Sequence, residues 1–302
     1  MKTDLYKPLP KQEKFFTKDK KSISFFEDAF FRFKKNKIAL FGLVTLLSII
    51  LLAIIGPFLT PYSYFDIHLP EKNLLPSLKY WFGTDELGRD IFTRVWWGAR
   101  ISLTIGIAAA LIDLLIGILW GTVSALIGGF IDEIMMRICD ILHSLPYLLM
   151  VILLMVVLGP GMITIIIAIA IIGWINMARI IRGQMLQIKE MDFITAAKAL
   201  GASHTRIIFR HLIPNTFGTI IVTLTLTIPS AIFTEAFLSF LGLGVQAPIA
   251  SWGVMVSDSL GALRYYPHRL FFPALMITLT MLSFNLIGDG LRDAFDPKLR
   301  NK

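Results

Sequence analysis

Two stretches without a single Asp, Glu, Lys or Arg dictate what this chain can fold into: residues 38–60 and residues 141–178. A helix rises about 1.5 Å per residue, so a run of about 20 apolar residues crosses a hydrocarbon core of roughly 30 Å. No water reaches that core, so each backbone amide must be satisfied within the structure, and an isolated apolar run does this as a helix. The fold class expected is therefore all-α, a polytopic membrane protein. Residues 38–60 make the first span; they begin too late and run too long for a cleavable signal peptide. Residues 101–130, interrupted only by Asp113, make the second. Residues 141–178 are too long for one helix, and Gly159-Pro160-Gly161 divides them into two spans, the first starting near Met135. Residues 212–234 and 270–288 complete six transmembrane helices.

Charge sets the orientation. The chain has 29 Lys and Arg against 21 Asp and Glu. Six spans put both ends, the 131–140 turn and the 179–215 segment on one side, and that side holds 22 of the 29 basic residues. By the positive-inside rule that side is cytoplasmic. With 55% hydrophobic residues and a mean hydropathy of +0.70, the basic excess speaks for membrane topology rather than nucleic acid. The expected organisation starts with residues 1–37, a cytoplasmic tail followed by an interfacial helix over 22–37, where five Phe alternate with charges. The first span, 38–60, and an extracellular loop, 61–100, follow. Residues 101–290 form a five-helix core with a cytoplasmic loop at 185–215 and an extracellular loop at 236–269. Residues 291–302 are a cytoplasmic tail.

The 192–215 segment carries its own helix punctuation. Asp192 can cap a short helix, Gly201 stands where a helix ends in a left-handed residue, and Ser203 can cap a second helix that Pro214 interrupts. Ala196, Ala197 and Ala202 present almost no side chain near the bend, so another protein's surface can approach the backbone closely.

Catalytic patterns are missing. The sequence holds no Gly-x-x-x-x-Gly-Lys-Ser/Thr phosphate loop, no nucleophile elbow and no His-Glu-x-x-His. The single cysteine, Cys139, allows no disulfide within the chain and has no zinc spacing around it. His204 and His211 have no further ligand at metal spacing and read as solvated. The chain is expected to be a conduit, not an enzyme.

Ala196-Ala197, Gly201 and Pro214 resemble the "EAA" loop of binding-protein-dependent ABC importers, the loop that docks onto the ATPase subunit. Thr195 stands where that motif has its glutamate, and His211-Leu212-Ile213 where it has Ile-x-Leu. Phe82-Gly-Thr-Asp-Glu-Leu-Gly-Arg-Asp90 and onward to Leu103 is similar to the signature of the dipeptide and oligopeptide permeases of the "C" type. Leu238-Ser-Phe-Leu-Gly-Leu-Gly244, Ser251-Trp252-Gly253, Met177-Ala-Arg-Ile-Ile-Arg-Gly-Gln184 and the 288–297 segment extend the resemblance over most of the chain. It implies a type I ABC importer permease fold and one permease subunit of an ATP-driven importer of oligopeptides or dipeptides, in a bacterial inner membrane. It also implies a homologous second permease, two ATPase subunits that carry ATP and Mg, an extracellular substrate-binding protein and a peptide substrate. No cofactor is expected in this chain. The docking residues implied are Thr195, Ala196, Ala197, Lys198, Leu200, Gly201, Ala202 and Arg206. A self-sufficient secondary transporter or channel, and a membrane scaffold without transport, remain the alternatives; the first would predict repeated halves.

Two acids lie where the membrane should be. Asp113 in the second span must face protein or water, which makes it a pathway candidate beside a structural hydrogen bond. Glu235, near the outer end of the fifth span, is either a lining residue at the mouth of a pathway or a snorkelling interfacial acid. Asp85, Glu86, Arg89, Asp90 and Arg94 are expected to brace the outer loop by internal ion pairs. Gly117 and Gly121, four apart, favour close helix packing, within the chain or against a partner.

Overall fold

The computed structural model describes residues 25–296. The N-terminal tail expected over the first twenty residues, and the last six residues of the expected C-terminal tail, lie outside the described residues, while residues 291–295 of that tail continue the last helix. Within residues 25–296 eleven α-helices follow one another: α1 (Phe25–Lys35), α2 (Lys37–Ile55), α3 (Ile91–Ile127), α4 (Gly129–Ser144), α5 (Tyr147–Leu158), α6 (Met162–Lys189), α7 (Asp192–Ala199), α8 (His204–Ile207), α9 (Ile213–Phe240), α10 (Trp252–Ser259) and α11 (His268–Phe295). Among the described residues the only β pairing is an isolated bridge between Thr84 and Asp90. Among the described residues five helical runs are long and apolar enough to cross a membrane, and the bent pair α4–α5 makes a sixth when it is counted as one span.

The spans meet through small residues. Gly117 of α3 lies against Met177 of α6, and Gly121 lies against the backbone of Ala178. A β-carbon at either glycine would overlap its neighbour, so the Gly117/Gly121 pair serves packing inside this chain, α3 on α6. On the other side of α3, Ile91, Val95, Ala99 and Leu103 pack into a cluster with Leu46 and Ile49 of α2, Ile232 of α9 and Phe284 of α11.

The fifth and sixth spans run on to Phe240 and Phe295, past their expected ends at 234 and 288, and three further differences from the sequence expectation each have a local reason. The second span begins ten residues earlier, at Ile91, because Asp90 caps it: its Oδ2 accepts from Thr93 N at 2.9 Å. The arginines that marked loop are absorbed by partners. Arg94 donates to Tyr64 O at 2.9 Å, and Arg100 donates to Ala53 O and Ile54 O at 2.6 and 2.7 Å, capping the end of α2. The third span is broken at Leu145-Pro146, where α4 and α5 bend by 84°. Pro146 offers no N–H and holds Leu145 extended (φ −73°, ψ 137°). The twelve residues of α5 reach only about 18 Å, too short to cross alone. The Gly159-Pro160-Gly161 turn separates α5 from α6 as expected.

The third difference is at Pro214. It does not end the helix that follows Ser203; helix continues from Thr205 to Phe240. A π-helical turn over Ile208–Leu212 lets Ile213 N reach Ile208 O, and Pro214 falls in the first turn of α9, where its missing N–H costs little. Asp192, too, is the first residue of α7 and not its cap, which is Met191.

Five segments share one end of the bundle. Lys189 of α6 donates to Ala125 O and Leu126 O at the C-terminus of α3, at 3.1 and 3.4 Å. Gly218 of α9 touches Phe295 of α11, and Arg32 of α1 reaches Asp296 O at 3.5 Å. α1 lies across this end with Ala29 buried and Phe30 and Phe31 exposed, the two-faced pattern expected of an interfacial helix.

Candidate functional site

At that end α7 and α8 stand out from the bundle around Gly201. Ile194 is fully buried against Met185 and Ile188 of α6, Ile207 and Leu212, and pins α7 in place. The helix then ends in a Schellman motif. Gly201 N donates to Lys198 O at 2.9 Å and Ala202 N to Ala197 O at 3.0 Å. Gly201 has φ +79°, a conformation that glycine enters without penalty. Ser203 begins the next turn as expected, its Oγ accepting from Arg206 N at 3.3 Å.

The eight residues expected to dock an ATPase fall on this elbow. Thr195, Ala196, Lys198, Leu200, Gly201 and Arg206 are exposed; Ala197 and Ala202 are half-buried. Leu200 is 88% exposed and Phe209 is 68% exposed, apolar side chains that no part of the described chain covers. An open groove of about 660 Å³ runs beside Phe209, lined also by Ser203, Thr205, Arg206, Arg210 and Pro214.

The helices under the elbow are locked by charge. Arg182 of α6 grips Asp132 of α4 with both arms of its guanidinium, Nε to Oδ1 at 2.6 Å and Nη2 to Oδ2 at 2.5 Å, and Ser124 of α3 donates to the same carboxylate. Arg179 pairs with Asp140 at 2.8 Å. Reading the sequence left Arg179 and Arg182 without a role. Their signal was present, since i and i+3 share a helix face, but the acids they meet lie 39 and 50 residues away.

In the interior, Asp113 of α3 is only 1% exposed, with Gly173 of α6 packed directly against its carboxyl group. Its Oδ1, and the hydroxyl of Tyr147 on α5, have no hydrogen-bond partner among the described residues. Both line a cavity of about 450 Å³ whose other walls are α6 (Asn176) and α9 (Thr223, Thr227, Ser230 and Thr234).

Glu235 overturns both expectations for it. It is fully buried, so it neither lines a mouth nor snorkels. Three serines donate to it: Ser251 at 2.7 Å, Ser239 at 2.8 Å and Ser102 at 3.1 Å. Ser102 Oγ accepts in turn from Trp252 N at 3.1 Å, and Trp252 Nε1 donates to Val95 O at 2.9 Å. The carboxyl group thus ties α3, α9 and α10 together. This explains Ser251-Trp252-Gly253, which sequence reading could only quote: Gly253 leaves room for Ala236 and Ser239 of α9 to approach.

Of the outer charges expected to form ion pairs, Asp85, Arg89 and Arg94 brace one another and Glu86 pairs with Arg269, whereas Asp90 meets no cation among the described residues and caps α3 instead. Asp85 accepts from Leu87 N and Arg89 N at 2.9 and 3.0 Å and pairs with Arg89 Nε at 2.7 Å, with Arg94 at 3.5 Å. Arg269 joins Asn73, Glu86 and Asp258 O at 3.0, 3.2 and 3.0 Å. Burial pushes the Asp258 carboxyl above its ordinary range, against the pull of Arg94 and Arg89. No group of three or more His, Cys, Asp or Glu among the described residues is placed to hold a metal.

The profile of the family described as "binding-protein-dependent transport system inner membrane component" matches residues 114–301, and that of the "N-terminal TM domain of oligopeptide transport permease C" matches residues 24–76. The chain is 60% identical over 281 residues to the oligopeptide transport system permease protein OppC of Bacillus subtilis, covering 93% of this chain and 92% of the relative. It is 59% identical over 280 residues to the dipeptide transport system permease protein DppC of the same organism, covering 92% and 88%. Among solved structures, a chain of the MetNI methionine ABC transporter in an inward-facing conformation superposes with a TM-score of 0.56 at 18% identity. That match covers 66% of this chain and 94% of the other.

Proposed function

The chain belongs to the binding-protein-dependent transport system inner membrane components, and on that premise we propose that it is one permease subunit of an ATP-driven importer of oligopeptides or dipeptides in a bacterial inner membrane. It is a multi-pass membrane protein. Its partners on this reading are a homologous second permease, two ATPase subunits that hold ATP and Mg, and a substrate-binding protein outside the cell. ATP hydrolysis falls to the ATPases. The elbow of residues 192–215 is the coupling element, and the cavity beside Asp113 is this chain's half of the pathway.

The observation that carries the coupling role is the elbow's build. Ile194 anchors it to the core while Leu200 stands almost wholly uncovered beside small residues. A rigid arm with an uncovered apolar tip transmits a push from a cytoplasmic partner to α6 and α9, from which it springs. In the resulting cycle, ATP-driven closure of the ATPases moves the elbow, and the two permeases rock between inward-open and outward-open states around the cavity.

Leu200→Asp tests this. The side chain touches little of its own chain, so the permease should reach the membrane in normal yield. A carboxylate buried unpaired at the docking surface costs about 3 kcal/mol or more, so association should weaken by over a hundredfold. The ATPases should fail to co-purify and ATP-driven peptide uptake should stop. Co-purification and uptake at wild-type levels would show that the ATPase docks elsewhere.

A further inference from the structure

We propose that the cavity around Asp113 is a seat for the cationic amino group of the cargo, with Asp113 as its counter-ion and the hydroxyl ladder of α9 as its acceptor wall. This rests on the reading of the chain as half of a peptide pathway.

Asp113 sits 14 residues, about 21 Å, from the C-terminal end of α3, deep inside the span. A carboxyl group there requires a partner, yet its Oδ1 meets no donor among the described residues. Gly173 presses against it without a side chain to offer one. Glu235 shows what this fold does when an acid is structural: it surrounds it with three hydroxyl donors. Asp113 has been given none, and it lines a cavity.

The chemistry of the opposite wall points the same way. Thr223, Thr227, Ser230 and Thr234 each donate their hydroxyl hydrogen to the carbonyl four residues back, at 2.8, 2.9, 3.3 and 2.8 Å. A hydroxyl that has spent its one hydrogen presents only lone pairs. The α9 wall therefore offers acceptors without donors, and no Lys, Arg or His lines the cavity. A ligand's carboxylate or phosphate would find no cation there. An ammonium group, with three hydrogens to donate, finds a carboxylate on one side and acceptors on the other, and the Tyr147 hydroxyl lies free to accept as well. The volume of about 450 Å³ lies within the range of small-ligand sites, and Ile169 and Leu226 supply an apolar wall for side chains.

The test uses the whole complex in proteoliposomes: both permeases, both ATPases and the binding protein. ATP-driven uptake is measured for one peptide with a free amino terminus and for its N-acetylated form, each at concentrations that saturate the binding protein. The wild type should favour the free amine by about tenfold or more, the worth of a charge-assisted contact. Asp113→Asn should lower free-amine uptake to the level of the acetylated peptide, and Asp113→Glu should keep part of the preference. A preference that survives Asp113→Asn, or a fall shared equally by both peptides, would overturn the assignment; the shared fall would mark Asp113 as a structural partner, for instance of a basic residue on the second permease. Should Asp113→Asn not assemble, Tyr147→Phe decides, with an expected loss of about threefold in preference against no loss if the seat is elsewhere. Wild-type complex that moves no peptide at all would sink the parent reading. Peptide transport without preference for the free amine would sink this one alone.

Discussion

Gly201 is the residue on which the exposed elbow turns. Its φ of +79° is open to glycine, costs asparagine little and strains a β-branched residue. Nothing lies within contact of a β-carbon built on it, so steric crowding plays no part and only the backbone preference counts. Gly201→Val should therefore cost about 1–3 kcal/mol at the Schellman turn and swing α8 out of position, while Gly201→Asn should be nearly silent. The readout is ATP-coupled uptake with membrane yield held constant; equal loss in both variants would show that bulk, not conformation, is what the position rejects. Glu235 teaches the complementary lesson. An acid in an apolar run is a functional candidate by default, yet here its three serine partners make it a structural knot. Ser239 lies one helical turn on from Glu235, but Ser102 and Ser251 come from other elements and no spacing along the chain announces them.

At the scale of elements, α4 and α5 are the departure from plain spans. A proline turns the chain by 84°, and the Asp132–Arg182 fork fastens α4 to α6 immediately below the elbow. Lysine keeps the charge but not the fork, so Arg182→Lys loses one of two parallel bonds. The pair is partly exposed, with side chains 31% and 13% accessible, so the expected cost is about 1 kcal/mol. Hydrogen exchange over residues 129–144 should speed up about fivefold while that of α3 stays unchanged. Unchanged exchange in α4 would mean that its packing, and not the ion pair, holds it. The elbow adjoins α6 and α9, which together with α3 and α5 wall the Asp113 cavity.

For the whole molecule, the decisive question is which end faces the cytoplasm. The structure brings α1, the α3–α4 turn, the elbow and the end of α11 to one end, and within residues 25–296 the segments expected on the cytoplasmic side hold 12 of 19 Lys and Arg. With Cys139 replaced by serine, Ser77→Cys and Arg264→Cys, both exposed at the opposite end, should react with a membrane-impermeant thiol reagent added to intact cells. Ser203→Cys should react only after the membrane is opened. Labelling of Ser203→Cys in intact cells would invert the orientation and remove the elbow from the ATPases.

The sequence by itself determined the solvent, five of the six spans and the place of the elbow. Charge-free runs of 23 and 38 residues admit only membrane helices, and Gly201 with Ser203 marks its turn locally. What only the tertiary structure decided is where each intramembrane polar group finds its partner. Arg94 and Arg100 looked like loop residues because their partners, Tyr64 O, Ala53 O and Ile54 O, are backbone atoms 30 to 47 residues away. Glu235 and Asp113 looked alike because hydropathy registers a charge and not its neighbours. One proved to be sealed by three hydroxyls and the other open to a cavity, a difference made by helix packing, which sets contacts across distances that no periodicity along the chain can encode.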